Sequence, residues 1–268
     1  MFANNVHIVF NTKEDKRITD PILKSSPNKL YYFTARIEKT GQSDVNMEFF
    51  EKNINLLKKR IPTLDIIHKE LDYTNYIEVI QAISRIIKEE REENDDADIY
   101  INVGTGSKIT ALASTEASKL WDCHIYYVYS SKYDPSGEGP QHKGEMYIKT
   151  PITFPIKKPE AIYIKVLKLI QRMITKKYKG KEYDQSQAKF VYKKNLIDEL
   201  IEKNFLKLEH KNEDERKRRS SYYMKSKKFF DPLEKELSYI QISDDRRNKK
   251  VRLTPTGKQI LQIFQYLI

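Results

Sequence analysis

A short turn rich in glycine and polar side chains is the part of this sequence best suited to bind an anion. It spans residues 102–108, and the residues singled out as candidate ligand contacts are Asn102, Gly104, Thr105, Gly106, Ser107 and Lys108. The two glycines allow a tight turn and a close approach of the backbone to a ligand. Free N–H groups at a helix start attract anions, and the hydroxyls and the lysine add donors and a positive charge. The turn is therefore predicted to bind a phosphate or a nucleotide.

The turn differs from two common nucleotide-binding motifs. It lacks the third glycine of the dinucleotide fingerprint, and Ser107 precedes Lys108, whereas a P-loop ends in Gly-Lys-Ser/Thr. Nothing in the flanking residues indicates bound NAD or ATP hydrolysis. The simpler alternative is a strand-to-helix turn capped by a Ser or Thr side chain.

The elements around the turn alternate between strand and helix patterns. Strands are predicted at residues 6–10, 29–33, 64–69, 98–102 and 124–129, and helices at 17–24, 46–60, 76–93 and 108–120. The strands are short apolar runs without alternation, which is typical of a parallel sheet covered on both faces. This order predicts an α/β fold with a Rossmann-like, doubly wound parallel sheet.

A break in this pattern predicts a loop and then a domain boundary. Residues 130–143 are rich in Pro, Gly and Ser and are predicted to form a mobile loop, either a lid over the ligand crevice or an ordinary exposed loop. An extended segment at 145–156 and three closely spaced prolines follow. We therefore expect a ligand-sensing domain at residues 1–150 and a second domain at 151–268.

The second domain has the element order of a winged helix-turn-helix, an α+β fold. Helices are predicted at 161–174, 190–203, 222–237 and 256–267, a charged linker at 209–219, and strands at 239–243 and 251–253. Within the segment 222–237, Asp231 and Pro232 are predicted to be the N-cap and first residue of a helix. The strands are joined by residues 244–250, which would form the wing.

The charge is concentrated in this second domain. Residues 151–268 contain 29 Lys/Arg against 15 Asp/Glu, whereas residues 1–150 contain 20 against 23. Double-stranded DNA is therefore the expected partner of this domain. The residues predicted to contact it are Lys225, Lys227 and Lys228 beside a groove, and Arg246, Arg247, Lys249 and Lys250 on the wing, the last four touching phosphates. The alternative is a set of solvated, solubilising lysines.

Cysteine usage and hydropathy place limits on the class of protein. Cys123 is the single cysteine, which excludes an intramolecular disulfide and fits a reducing cytoplasm. A buried thiol is expected there, with no metal site, because no second pair of residues has ligand spacing. No apolar run reaches the length of a membrane span, and neither a membrane association nor a signal peptide is expected.

Three segments carry a resemblance to a known family. The run 6–10 leads into Asn11, Thr12 and residues 15–23, the motif at 102–108 follows a strand, and Val-Arg-Leu-Thr-Pro-Thr-Gly occupies 251–257. Together they resemble the CARF (CRISPR-associated Rossmann fold) regulators with a C-terminal winged helix-turn-helix, of the archaeal transcriptional regulator type.

The resemblance implies a ligand, an assembly and a site. It implies a homodimer that binds a cyclic oligoadenylate, foremost cyclic tetra-adenylate, in CRISPR antiviral defence. Asn11 and Thr12 would supply one turn of the pocket, and residues 102–108 the other. A ring with rotational symmetry complements a two-fold pair of anion-binding helix starts.

Three functions remain open from the sequence. The leading hypothesis is a ligand-responsive DNA-binding regulator. A second is a metal-independent ring nuclease, in which Ser107 would orient the 2′-hydroxyl and Lys108 would stabilise the developing charge. A third is an adaptor whose basic domain binds an acidic protein surface.

Overall fold

The computed structural model describes residues 5–37, 41–136, 139–151, 158–180, 189–206, 215–245 and 248–267. The chain divides into two compact units, residues 1–158 and 159–268. This division and the boundary predicted after residue 150 flank residues 152–157, which lie outside the described residues.

The first unit is a mostly parallel sheet with helices between its strands. Its strands are β1 (Asn5–Phe10), β2 (Lys29–Ile37), β3 (Gln42–Ser43), β4 (Asp65–Leu71), β5 (Asp98–Asn102), β6 (His124–Tyr133) and β7 (His142–Lys149). Its helices are α1 (Asp15–Ser25), α2 (Met47–Arg60), α3 (Tyr76–Glu93) and α4 (Lys108–Trp121). The predicted Rossmann-like sheet is confirmed.

The strand order places β1 at the centre of the sheet. Parallel pairs join β4 to β2, β2 to β1, β1 to β5 and β5 to β6, whereas β7 pairs antiparallel with β6 and β3 pairs antiparallel with the end of β2. Residues 6–10 of β1 are all buried. A central parallel strand is covered on both faces, so its sequence is continuously apolar.

Helix α3 buries one apolar stripe. In α3, Val79, Ile80, Ile83, Ile86 and Ile87 are buried and recur at three- and four-residue spacing. The side chain of Asn75 caps the start of this helix by accepting from the backbone N–H of Glu78.

The predicted loop at residues 130–143 is too long at both ends, because residues 130–133 and 142–143 belong to strands. Strand β6 continues to Tyr133 and β7 begins at His142, so the two strands form an antiparallel hairpin with a short connection. Its composition hid the strand, because Ser130 and Ser131 lie on an exposed hairpin where β-propensity is weak.

The second unit has the architecture of a winged helix domain, as predicted. Its elements are α5 (Ala161–Tyr178), β8 (Val191–Tyr192), α6 (Lys193–Glu202), α7 (Glu215–Asp231), a π-helical turn (Pro232–Glu236), β9 (Ile240–Ile242), β10 (Lys250–Leu253) and α8 (Pro255–Phe264). Strands β9 and β10 form the antiparallel wing hairpin, and β8 pairs with the other side of β10. Thr254 caps α8 through the N–H of Gly257.

Two local predictions in this unit are wrong. The charged segment 209–219 was expected to be a linker, but residues 215–219 belong to α7; residues 207–214 lie outside the described residues. Asp231 is not an N-cap, because its backbone is helical (φ −65°, ψ −49°) and its side chain accepts no cap hydrogen bond. Proline is tolerated here because α7 ends at Asp231 and Pro232 opens a different helical turn.

Within the described residues, no helix combines the length and the apolar character needed to cross a membrane.

Candidate functional site

The two turns predicted to bind ligand lie side by side at one edge of the sheet. Strands β1 and β5 are adjacent and parallel, with Ile8 opposite Ile101, so the segments after Phe10 and Asn102 emerge together. The chain leaves β1 toward β2 on one side, and β5 lies on the other. This is the switch point of a doubly wound sheet, where such folds bind ligands outside the carboxyl ends of the strands.

A cleft of about 360 Å³ opens between these turns. From the predicted site it is lined by Asn11, Thr12, Gly106 and Ser107, and beyond it by Ala35, residues 42–46 and Tyr73. The cleft therefore brings part of each predicted turn into one site, whereas the predicted residues Asn102, Gly104, Thr105 and Lys108 do not line it.

Asn11 is held as part of the floor of the cleft. Its side-chain Nδ2 donates to Asp44 Oδ2 (3.0 Å) and to the Asn46 carbonyl (2.9 Å), and its Oδ1 accepts from the hydroxyl of Tyr32 (3.0 Å). These bonds use both amide hydrogens, and the residue is 2% exposed. Asn11 positions the turn, and the half-buried Thr12 beside it is the residue exposed toward a ligand.

Asn102 shapes the second turn from beneath. Its Oδ1 accepts from the backbone N–H of Gly104 (2.9 Å) and its Nδ2 donates to the carbonyl of Arg17 in α1 (2.9 Å). The side chain is fully buried. Such a turn, closed by an Asn side chain onto the backbone two residues on, orients the following N–H groups.

Gly104 is constrained by packing. A Cβ there would lie 2.8 Å from Nη2 of Arg17 and 3.0 Å from the backbone nitrogen of Val128. The absence of a side chain at Gly104 therefore leaves room for the Arg17 guanidinium.

Gly106 and Thr105 complete the turn. Gly106 has φ +78°, and its backbone lies against Phe10 at the end of β1. Thr105 is 4% exposed, and its buried hydroxyl has no hydrogen-bond partner within the described residues. A buried hydroxyl without a partner carries a free-energy cost that a ligand or water can remove.

Ser107 is the N-cap of α4, and its hydroxyl makes two hydrogen bonds. The Oγ accepts from the N–H of Thr110 (3.1 Å) and donates to the carbonyl of Tyr73 (2.9 Å). Thr110 returns the bond by accepting from the Ser107 N–H (2.8 Å), which completes a capping box. Lys108, the first residue of α4, is exposed and places its charge at the helix start.

Tyr73 and Asp44 are site residues that the sequence did not reveal. Tyr73 accepts from the Asn11 N–H (2.8 Å) and donates its hydroxyl to the Phe33 carbonyl (2.7 Å). Burial raises the pKa of Tyr73 well above its usual value, so the hydroxyl remains a donor. Asp44 binds the N–H groups of Ala35 and Asn46 as well as Asn11.

The predicted DNA-contacting residues fall on α7 and the wing. Lys227 and Lys228 are exposed on α7, and Lys225 is half-buried on the same helix. Lys249 and Lys250 lie at the start of β10, where the Lys250 ammonium sits 4.8 Å from the ring centre of Phe190. Arg246 and Arg247 lie outside the described residues.

Two family models match the chain in the same order as its two units. Residues 5–133 match the model described as HFX_2341_N-like, N-terminal, and residues 164–265 match the DUF6293 C-terminal winged helix domain. Fold and matches together define a protein with a Rossmann-like N-terminal domain and a C-terminal winged helix domain, as predicted. Each model covers less than half of the chain, and together they match its two units in order. No curated protein matches the chain.

Solved structures with a similar backbone arrangement were also found. Enterococcus italicus Csm6 bound to cyclic hexa-2′-fluoro-hexa-dAMP aligns at 12% identity with a TM-score of 0.44, over 88% of this chain and 56% of that one. Can2 from Sulfobacillus thermosulfidooxidans in complex with cyclic tetra-adenylate aligns at 13% identity and 0.37, over 98% and 64%. Protein VC1899 from Vibrio cholerae aligns at 11% and 0.37, over 98% and 65%. The chain thus spans less than two thirds of the length of each of these proteins.

Proposed function

We propose that this protein is a ligand-responsive DNA-binding regulator that senses a cyclic oligoadenylate, foremost cyclic tetra-adenylate, in CRISPR-linked antiviral defence. The observation that carries the proposal is the convergence of the turns after β1 and β5 on one cleft at the switch point of the sheet. One of these turns ends in the capped start of α4, where backbone N–H groups and Lys108 favour a phosphate.

The size of the cleft supports a homodimer. A cavity of about 360 Å³ lies at the lower end of the range that encloses a single drug-sized molecule. A ring of four nucleotides is larger, so one cleft would hold only part of it. Two copies related by a two-fold axis would present two such clefts to a symmetric ring.

Binding without cleavage fits the state of Ser107. Its hydroxyl hydrogen points to the Tyr73 carbonyl and its lone pair accepts from Thr110. Donation to a ligand would require Ser107 to give up the bond to Tyr73, whereas its second lone pair is still able to accept one. We favour a sensor over a ring nuclease because the motif at 102–108 contains no His, Asp or Glu that could act as a base.

The winged helix domain and its positive charge support DNA as the output partner. A phosphate backbone attracts a basic surface without regard to sequence, and the wing and α7 together carry the predicted contacts. A dimer would hold two such domains for a palindromic operator. DNA as partner and the single thiol, Cys123, favour a cytoplasmic location.

One set of measurements separates the three functions. Cyclic adenylates of four and six nucleotides are titrated into the full chain by calorimetry, and the mixtures are then analysed for linear products. Binding of duplex DNA is measured as salt is raised, with and without the ring. A regulator binds the ring intact and shows a steep salt dependence that the ring alters. Linear products would instead establish a ring nuclease, and absence of DNA binding at low salt would favour the adaptor.

A further inference from the structure

A second cavity, of about 560 Å³, lies within the winged helix unit. It is formed by the start of α6, the middle of α7 and the wing, and residues from each of these elements line it: Tyr192, Lys193, Lys194, Tyr222, Tyr223 and Lys249. Ile197 and Ile201 give it an apolar side. Aromatic faces, cations and an apolar wall together match the parts of a nucleotide.

Lys193 is the unusual residue of this cavity. It is 8% exposed, and its ammonium lies 4.5 Å from the ring centre of Phe230 and 4.9 Å from that of Tyr223. Within the part of the chain that the structure describes, it forms no ion pair. The side chain is thus buried along its length, and its ammonium is held against two ring faces without an anionic partner among the described residues.

The surroundings of Lys193 also favour an anion. It is the first residue of α6, a helix whose N-cap, Tyr192, provides no side-chain cap. Its own N–H bonds the carbonyl of Lys249, which ties the helix start to the wing. Lys194 and Lys249 add two more cations, whereas Asp198 is exposed at the rim of the cavity. The positive end of the helix and the three lysines act in the same direction.

We propose that this cavity binds the phosphate group of a nucleotide, with the Lys193 ammonium as its counter-charge. The phosphate can belong to the backbone of bound DNA or to a free nucleotide. The first source rests on the DNA-binding function proposed above, and the second does not.

The test uses the full chain and two matched substitutions. Lys193→Met removes the charge and keeps an unbranched side chain of similar length against the same rings. Lys168→Met makes the same change on the exposed face of α5. Thermal unfolding of both variants establishes that the second unit is intact. Duplex DNA binding is then followed by anisotropy over a range of salt, and pyrophosphate binding by phosphorus NMR line width.

The two arms give distinct outcomes. If the source is DNA, Lys193→Met weakens DNA binding about tenfold or more relative to Lys168→Met and lowers the salt slope by about 0.9. If the source is a free nucleotide, the two variants bind DNA alike but only Lys193→Met loses the pyrophosphate broadening. The proposal is overturned if neither DNA nor pyrophosphate binding distinguishes the variants. Should the parent protein bind no DNA, the regulator function fails and the pyrophosphate arm still decides.

Discussion

Gly106 lies directly against Phe10, so that a Cβ added at Gly106 would stand 2.6 Å from the Cβ of Phe10. This contact joins the turn after β5 to the end of β1. The two halves of the candidate ligand site are therefore packed on each other before any ligand arrives.

Gly106→Ala is expected to destabilise the first unit. The residue would have to keep φ +78° and displace Phe10, and strain and overpacking together should lower the free energy of unfolding by about 2–4 kcal/mol. Gly41→Ala is the matched control, because Gly41 also has positive φ but nothing within 4 Å of the added Cβ. It should cost only the backbone strain, about 1–2 kcal/mol. Denaturant unfolding that gives equal losses for both variants would contradict the packing argument.

The larger substitution Gly106→Val is expected to weaken ligand binding as well as folding. The branched side chain would stand where the backbone has to approach the phosphate. Calorimetry with cyclic tetra-adenylate checks this, after circular dichroism has established the folded fraction. Full affinity in the folded fraction would remove the turn from the site.

Lys108→Ala tests the ligand site with little effect on folding, because Lys108 is exposed at the start of α4. Loss of one charge-assisted contact to a phosphate is worth about 1.5–3 kcal/mol, or roughly tenfold or more in affinity. Lys119→Ala, in the last turn of the same helix, is the control and should bind cyclic tetra-adenylate like the parent. Equal affinities for all three proteins would show that Lys108 makes no contact.

Replacing Arg246, Arg247, Lys249 and Lys250 together by Ala is expected to weaken DNA binding about uniformly across sequences. Each lost phosphate contact releases about one counterion fewer, so the salt dependence flattens. Ligand binding should persist, because the proposed pocket is in the other unit. The control replaces four lysines exposed on α5 and α8, namely Lys165, Lys168, Lys176 and Lys258. If both quadruple variants lose the same affinity and slope, the effect is net charge and not the wing.

Acid is expected to destabilise the first unit through His7. Burial lowers the pKa of His7 from 6.5 to about 4, so the folded state holds it neutral while the unfolded chain binds a proton below pH 6.5. The contribution of His7 to the free energy of unfolding is fully present above pH 6.5. It falls by about 3 kcal/mol as the pH is lowered toward 4. His7→Phe, which keeps a ring on Tyr100, should show a smaller loss over this interval. If the free energies of unfolding of the parent and of His7→Phe differ by the same amount at pH 7 and at pH 4, the role of His7 is contradicted.

A homodimer through the first unit is also expected, since one cleft covers only part of a cyclic tetra-adenylate. Sedimentation at micromolar concentration, with and without cyclic tetra-adenylate, is the direct measurement. A monomer in both conditions would exclude the proposed two-fold site.

Periodicity was enough to predict the framework of the fold. Helix α3 and strand β5 have the predicted bounds, Tyr76–Glu93 and Asp98–Asn102, because apolar spacing there is strong and the ends carry capping or turn residues. The start of α4 at Lys108 follows from the same logic. Local chemistry and the 3.6-residue repeat agree at these places.

The misses share a physical cause, which is that tertiary contacts decided the local structure. The hairpin at Ser130 forms because β7 pairs with it, and residues 215–219 become helical despite their charge because α7 continues through Phe229 and Phe230 into the core. Asp44 was invisible for a similar reason. Its role depends on Asn11, 33 residues earlier in the chain.

Tyr73 links three parts of the cleft that are far apart in the sequence. Its hydroxyl bridges the N–H of Asn11 and the carbonyl of Phe33, and its own carbonyl accepts from Ser107. The cleft is therefore preorganised before a ligand binds, and binding should cost little conformational entropy of the protein. Association should then be limited by encounter, and differences in affinity among ring sizes should appear mainly as differences in residence time.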